Sequence, residues 1–286
     1  MTREVEQAPS PPEKATSDSR PGAPARAPRW PAWYAPAAFL TALLAVFVIA
    51  AIVQVIVAAT GHDLPTSGPG VELGGTFVQD GLLVVAGVVF AARVAPPRPW
   101  QFGVRRARRG RVVGGVLAAY GAFWLFSLVY QVALNPHGKQ TVAKDLGANN
   151  GGILLVLAAI LVIVVAPACE ELFFRGFFYG ALRSRFTPVA AALIDGLVFG
   201  GIHYTGAQTL AVLPPLAMLG FVFCLLYEYT GSIFPTIALH AVNNSISYAV
   251  TVDASAGVAA GLGVAVVAAC AIVPRFVPAP PTPALR

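Results

Sequence analysis

Long apolar runs separated by short polar connections dominate this 286-residue chain. A helix needs about 20 apolar residues to cross a bilayer. The runs therefore predict an all-α fold, a polytopic transmembrane helical bundle of about eight helices, with seven as the alternative count. The predicted spans are 36–59, 76–92, 112–134, 152–182, 187–204, 209–229, 232–250 and 256–273.

Both ends of the chain depart from this pattern. Residues 1–35 contain many prolines, mixed charges and few aliphatic side chains, which predicts a disordered cytoplasmic tail. Residues 276–286 form a second, short proline-rich tail. The transmembrane bundle is therefore expected to occupy 36–275.

Composition and charge support a membrane protein and add an orientation. The chain is 57% hydrophobic and 11% charged, against about 25% charged residues in soluble domains. The net charge is +6, but seven arginines crowd residues 93–111, which indicates a cytoplasmic loop rather than nucleic-acid binding. Basic connections tend to alternate with weakly charged ones. We therefore expect a multi-pass protein of the cell membrane with both termini in the cytoplasm.

Ionisable side chains within the apolar spans are the candidates for chemistry, because each is costly in lipid. Asp80 lies near the outer end of its predicted span and is therefore not counted among them. The others concentrate in the fourth to seventh spans, so function is expected within residues 165–250. They are Glu170, Glu171, Arg175, Asp195, His203, Glu228 and His240, joined by the amides Asn243 and Asn244.

Spacing separates the two adjacent glutamates. Glu171 and Arg175 are four residues apart, so they share a helix face and can neutralise each other. Glu170 is rotated by about 100° and has no such partner in the sequence. It must find one on another helix. Pro167, three residues earlier, is expected to bend the helix at this point.

Three motifs, each on a separate predicted span, carry a family resemblance. Glu170-Glu171-x-x-x-Arg175, Phe199-x-x-x-His203 and His240-x-x-x-Asn244 resemble the signature of the CAAX-protease and bacteriocin-processing (CPBP, or Abi) family of intramembrane endopeptidases. The resemblance covers about residues 150–250. It implies a helical bundle in which the first glutamate and the two histidines line a cavity. There a peptide bond of a membrane-associated protein or peptide would be hydrolysed.

The resemblance also implies roles for these residues. Glu170 with His203 would hold and activate a water molecule, and His240 with Asn244 would stabilise the oxyanion. Glu171 and Arg175 would brace the site.

Metal dependence stays open at this stage. The family is commonly labelled metalloprotease, and Glu170, His203 and His240 match the ligand types of a divalent metal such as Zn²⁺. However, His-Glu-x-x-His is absent from the sequence, and a desolvated glutamate can act as a general base without metal.

Two other functions and several details also stay open. The chain could be a catalytically silent membrane scaffold or immunity protein, or a proton-coupled transporter. No matching pair of broken spans favours transport. The expected partners are the bilayer and a membrane substrate, which could be a prenylated CAAX protein, a bacteriocin leader or another membrane peptide, and the oligomeric state is open. Asp195 either orients His203 or reflects packing, and Glu228 is expected to be solvated at the inner interface.

Overall fold

The computed structural model describes residues 30–60, 67–138, 141–253 and 255–278. Short helical turns lie between the long helices, and the described ranges contain no β-strand. This confirms the all-α, polytopic bundle. The long helices are α1 (Tyr34–Thr60), α2 (Pro69–Ala92), α3 (Arg109–Leu134), α4 (Gly152–Leu182), α5 (Pro188–Gly201), α6 (Leu213–Thr230), α7 (Phe234–Thr251) and α8 (Ala256–Ile272).

Each of the eight predicted spans coincides with a helix, but the helices differ in their ability to cross a membrane. Within the described ranges, six helices are long and apolar enough to do so. Helix α5 has 14 residues and rises only about 21 Å, less than the roughly 30 Å of a hydrocarbon core. Helix α7 has 18 residues and carries several amides and hydroxyls beside its histidine. The two helices outside the six are therefore α5, which ends two residues before His203, and α7, which carries His240.

The predicted tails lie largely outside the described residues, but their inner boundaries are visible. Trp30 is buried, and its ring centroid lies 5.1 Å from that of Phe102. Helix α1 then begins at Tyr34, inside the range predicted as tail. Two aromatic rings thus hold the start of the described chain against the bundle.

The outer surface of the bundle is apolar. Val132 on α3 is 76% exposed, and Phe47 on α1 and Leu117 on α3 are similarly uncovered. Helices satisfy their own backbone hydrogen bonds and can turn such side chains toward lipid at no polar cost. This surface is what a membrane-embedded helix requires.

Small residues bring α5 and α6 into close contact. A Cβ atom at Gly196 would lie 2.6 Å from the carbonyl oxygen of Ala217, and one at Gly200 would lie 2.8 Å from the backbone nitrogen of Ala217. Glycines four residues apart allow two membrane helices to approach at backbone distance. The side chains of α5 that precede and follow these glycines are thereby placed against α4 and α6.

The arginine-rich connection docks onto the turn between α6 and α7. Arg105 Nε donates to the Gly231 carbonyl, and Ser232 Oγ donates to the Arg105 carbonyl at 2.6 Å. The Ile233 N–H donates to the Gly103 carbonyl at 3.0 Å. The loops after α2 and α6, together with Trp30 against Phe102, therefore share one end of the bundle, which we call the arginine end.

Candidate active site

A break in α4 next to Pro167 creates the first feature of the site. The Ala166 N–H bonds to the Leu161 carbonyl, five residues back, in a π-helical turn. The N–H of Ala166 is therefore not available to the Val162 carbonyl as an α-helical donor. Pro167, the next residue that could donate, has no N–H. Asn244 Nδ2 on α7 donates to this carbonyl at 2.8 Å. The π-helical turn before Pro167 thus provides an anchor for the Asn244 side chain.

Glu171 is held through one of its carboxylate oxygens. Its Oε1 accepts from Arg175 Nη1 and from His240 Nδ1, both at 3.0 Å. Arg175 Nη2 donates to the Gly220 carbonyl on α6 at 2.9 Å and lies 3.7 Å from Asp195 Oδ1. We call Glu171, Arg175, Asp195 and His240 the Arg175 cluster. Its guanidinium, which is 0% exposed, ties α4 to α5 and α6, and the Glu171 carboxylate ties α4 to α7.

Aromatic rings enclose the Arg175 cluster. The guanidinium carbon of Arg175 lies 4.5 Å from the Phe199 ring centroid and 5.1 Å from that of Phe223. The His240 ring lies 5.6 Å and 5.2 Å from the same two rings, and the His203 ring lies 5.1 Å from Phe199. Arginine stacks well on aromatic faces. Phe199, the first residue of the second motif, thus packs against both imidazoles.

The two acidic residues with undecided roles are now placed. Asp195 lies beside Arg175, while His203 Nδ1 contacts the Phe199 carbonyl at 2.8 Å. Asp195 therefore belongs to the Arg175 cluster. Glu228 accepts from the Tyr179 hydroxyl and from Arg183 at the end of α4, and its side chain is 38% exposed. The expectation of a solvated interfacial carboxylate matches this position.

A cavity of about 270 Å³ brings the four candidate catalytic residues together, since Glu170, His203, His240 and Asn244 all line it. Glu170 Oε2 lies 3.8 Å from His240 Nε2, which supplies the contact on another helix that the sequence demands. Among the described residues this oxygen has no hydrogen-bond partner.

Both imidazoles use Nδ1 for a hydrogen bond within the protein. A backbone carbonyl can only accept, so Nδ1 of His203 carries the proton in its bond to Phe199. The same reasoning places a proton on His240 Nδ1, which faces the Glu171 carboxylate. In both rings Nε2 is the atom left for other partners.

Asp80 is a further member of the cavity wall that the sequence interpretation omitted. It is 1% exposed and lines the same cavity as Glu170. The predicted span began at residue 76 and put Asp80 near its end. Helix α2 begins at Pro69, so Asp80 lies eleven residues inside it. The rule that an intramembrane carboxylate indicates a site could have found it had the helix start been right.

The described residues, as placed, do not assemble a metal site. A catalytic zinc ion takes three protein ligands. Among the described residues, no group of three or more His, Cys, Asp or Glu side chains is arranged to hold a metal ion. Glu170, His203 and His240 share a cavity but not a ligand geometry.

Comparison with known proteins supports the resemblance. Residues 152–246 match the family model described as Type II CAAX prenyl endopeptidase Rce1-like. An uncharacterized protein of Bacillus subtilis (strain 168), YyaK, is 29% identical over 171 residues, which cover 57% of this chain and 56% of that protein. The match thus spans little more than half the length of this curated relative, and no solved structure matches. The family match at residues 152–246 confirms that this segment is similar to the CAAX proteases of the CPBP family.

Proposed function

We propose that this protein is an intramembrane endopeptidase that hydrolyses a peptide bond of a membrane-associated protein or peptide. The observation that carries the proposal is the cavity that joins Glu170, His203, His240 and Asn244 inside an apolar bundle. These are a carboxylate on α4, an imidazole in the turn after α5, and an imidazole and an amide on α7. Such a set of groups suits acyl transfer to water.

Glu170 and His203 would activate the water. The unpartnered Oε2 of Glu170 and the free Nε2 of His203 both accept hydrogen bonds, so a water molecule donating to both would be oriented in the cavity. As the water oxygen attacks the carbonyl carbon, Glu170 takes one of its protons. The burial of Glu170 supports this role because few bulk water molecules can hydrogen-bond to its carboxylate.

Asn244 and His240 would stabilise the tetrahedral intermediate. One N–H of the Asn244 amide is held by the Val162 carbonyl, which fixes the amide plane and leaves the second N–H for the oxyanion. His240 Nε2 can donate as well when it carries a proton, while Glu171 fixes the ring through Nδ1. Fixed donors aimed at a developing charge are effective because they need no reorganisation. Glu170 then returns its proton to the leaving nitrogen as the C–N bond breaks.

No step of this mechanism uses a metal, in keeping with the ligand geometry described above. The proposal therefore expects cleavage to persist after dialysis against a chelator. Loss of cleavage with the chelator, restored by adding Zn²⁺, would contradict this part of the mechanism. Elemental analysis of the purified protein provides an independent reading.

The proposed substrates are proteins and peptides that associate with the membrane. The matching family description is Type II CAAX prenyl endopeptidase Rce1-like, which makes prenylated CAAX proteins one candidate class. Bacteriocin leaders and other membrane peptides are the other members of the class that the resemblance implies. A cavity inside the bundle favours substrates that already reside in the membrane.

The test is cleavage by the purified full-length protein in lipid vesicles. The substrates are a membrane-peptide library and CAAX peptides with and without a prenyl group, with products identified by mass spectrometry. Glu170→Gln keeps the shape of the side chain but removes the base, so cleavage should fall by a factor of about 10² to 10⁴. Glu228→Gln is the matched control, since Glu228 lies outside the cavity, and it should retain activity. Full cleavage by folded Glu170→Gln would favour the scaffold or transport alternatives.

A further inference from the structure

Polar residues on one face of α2 lead into the cavity. Glu72, Thr76, Gln79 and Asp80 all line it, and their spacing of four, seven and eight residues places them along one side of a helix. Glu72 is exposed, Thr76 and Gln79 are half-buried, and Asp80 is buried. Helix α2 therefore carries a continuous polar stripe from the surface to the level of Glu170.

The cavity opens away from the arginine end. Its exposed lining residues are Glu72 at the start of α2 and Thr205 after α5, and Thr251 closes α7 nearby. None of the described residues that line it belongs to the connection 93–108 or to the α6–α7 turn. A substrate would thus enter beside Glu72 and pass Asp80 before its peptide bond reaches Glu170.

No described residue gives Asp80 a partner that explains its burial. Its Oδ2 has no hydrogen-bond partner among the described residues, and none of the ion pairs found among them involves Asp80. Burying a carboxylate without a partner costs several kcal/mol. A carboxylate that stays unpartnered beside a cavity is therefore open to a ligand that enters the cavity.

We propose that Asp80 forms a subsite for a cationic group of the substrate, a lysine or arginine side chain or a free amine, close to the scissile bond. This proposal rests on the proposed function, since it names the substrate chemistry of the same cavity. Three carboxylates, Glu72, Asp80 and Glu170, line the cavity, and it contains no lysine or arginine among its described lining residues. The wall is complementary to a positive charge, and the ammonium group would supply the partner that Asp80 lacks.

Matched peptides test the subsite. Membrane peptides that the protein cleaves are made in pairs that differ only in lysine or glutamine at each position flanking the cleaved bond. Wild-type protein should prefer lysine at one position by about tenfold in kcat/KM. In Asp80→Asn that ratio should fall toward one, whereas Glu228→Gln should keep it. A purely structural role of Asp80 would lower cleavage of both peptides equally and leave the ratio unchanged.

Binding provides a second reading that needs no turnover. The Glu170→Gln protein in vesicles should retain lysine peptides about tenfold more tightly than glutamine peptides, and adding Asp80→Asn should remove the difference. Equal binding of both peptides, or an unchanged lysine preference in Asp80→Asn, would overturn the subsite. Absence of all cleavage by wild-type protein would instead overturn the proposed function, and lysine and glutamine versions of library peptides that bind the protein would still measure the binding preference.

Discussion

Two adjacent glutamates on α4 differ in what their side chains contact. Glu171 receives hydrogen bonds from Arg175 and His240 and is 0% exposed. Glu170, rotated to the next face, borders the cavity with an oxygen that no described residue contacts by hydrogen bond. One residue type in one helix therefore yields a carboxylate held by Arg175 and His240 on one face and a carboxylate that borders the cavity on the other.

The difference separates structural from chemical use of buried charge. Removing one partner of a buried ion pair leaves an uncompensated charge, so Glu171 and Arg175 are expected to matter chiefly for folding. The cavity side has few internal contacts to lose. Its substitutions should therefore affect turnover while the fold is retained.

Among the residues that line the cavity, substitution of His203 is expected to have the largest effect on cleavage. His203→Ala removes the Nε2 acceptor and should lower cleavage by a factor of about 10² to 10⁴, as Glu170→Gln does. Because both groups act on one water, the double variant should be little worse than either single variant. The measurement is kcat/KM on one cleaved peptide for all four proteins. Multiplicative losses in the double variant would show that the two residues act on separate steps.

Substitutions of the ion pair between Glu171 and Arg175 should lower the free energy of unfolding. Arg175→Ala leaves the carboxylate of Glu171 without its guanidinium and should cost about 3–5 kcal/mol of unfolding free energy, seen as lower folded yield and melting temperature in detergent. Arg183→Ala is the control, because its partly exposed pair with Glu228 should contribute only about 0–1 kcal/mol. Equal melting temperatures for the two variants would contradict the distinction between the cluster and an interfacial pair.

Asn244 belongs to both sides. Asn244→Ala should lower cleavage by a factor of about 10² to 10³ through loss of an oxyanion donor, without abolishing substrate binding. It should also cost about 1–3 kcal/mol because the Val162 carbonyl loses its partner. Asn243→Ala is the matched control, since Asn243 does not line the cavity. An Asn244→Ala protein with wild-type kcat would remove the amide from the oxyanion site.

The smallest perturbation tests which end of the bundle faces the cytoplasm. In a background without Cys169, Cys224 and Cys270, an external thiol reagent should label a cysteine placed at Glu72 but not one at Arg106. Asp63, outside the described residues, should behave like Glu72. The reverse pattern would overturn the predicted orientation, with both termini and the 93–111 loop in the cytoplasm, and would place the cavity mouth on the cytoplasmic side.

The sequence by itself determined the helices and most of the candidate chemistry. Lipid cannot solvate a backbone, so long apolar runs have one available structure, the helix. For the same reason each charge within a run stands out, which is how Glu170, His203 and His240 could be identified. Local spacing also sufficed for the Glu171–Arg175 pair, because residues four apart meet on any helix.

Tertiary structure alone decided what these groups face. Asp195 meets Arg175 rather than His203 because close packing of α5 against α6 brings it there. Asn244 reaches the Val162 carbonyl, 82 residues away in the chain, only because α7 crosses the irregular turn of α4. Asp80 lines the cavity because α2 packs on α4. Such contacts depend on how helices cross, which no periodicity within a single helix encodes.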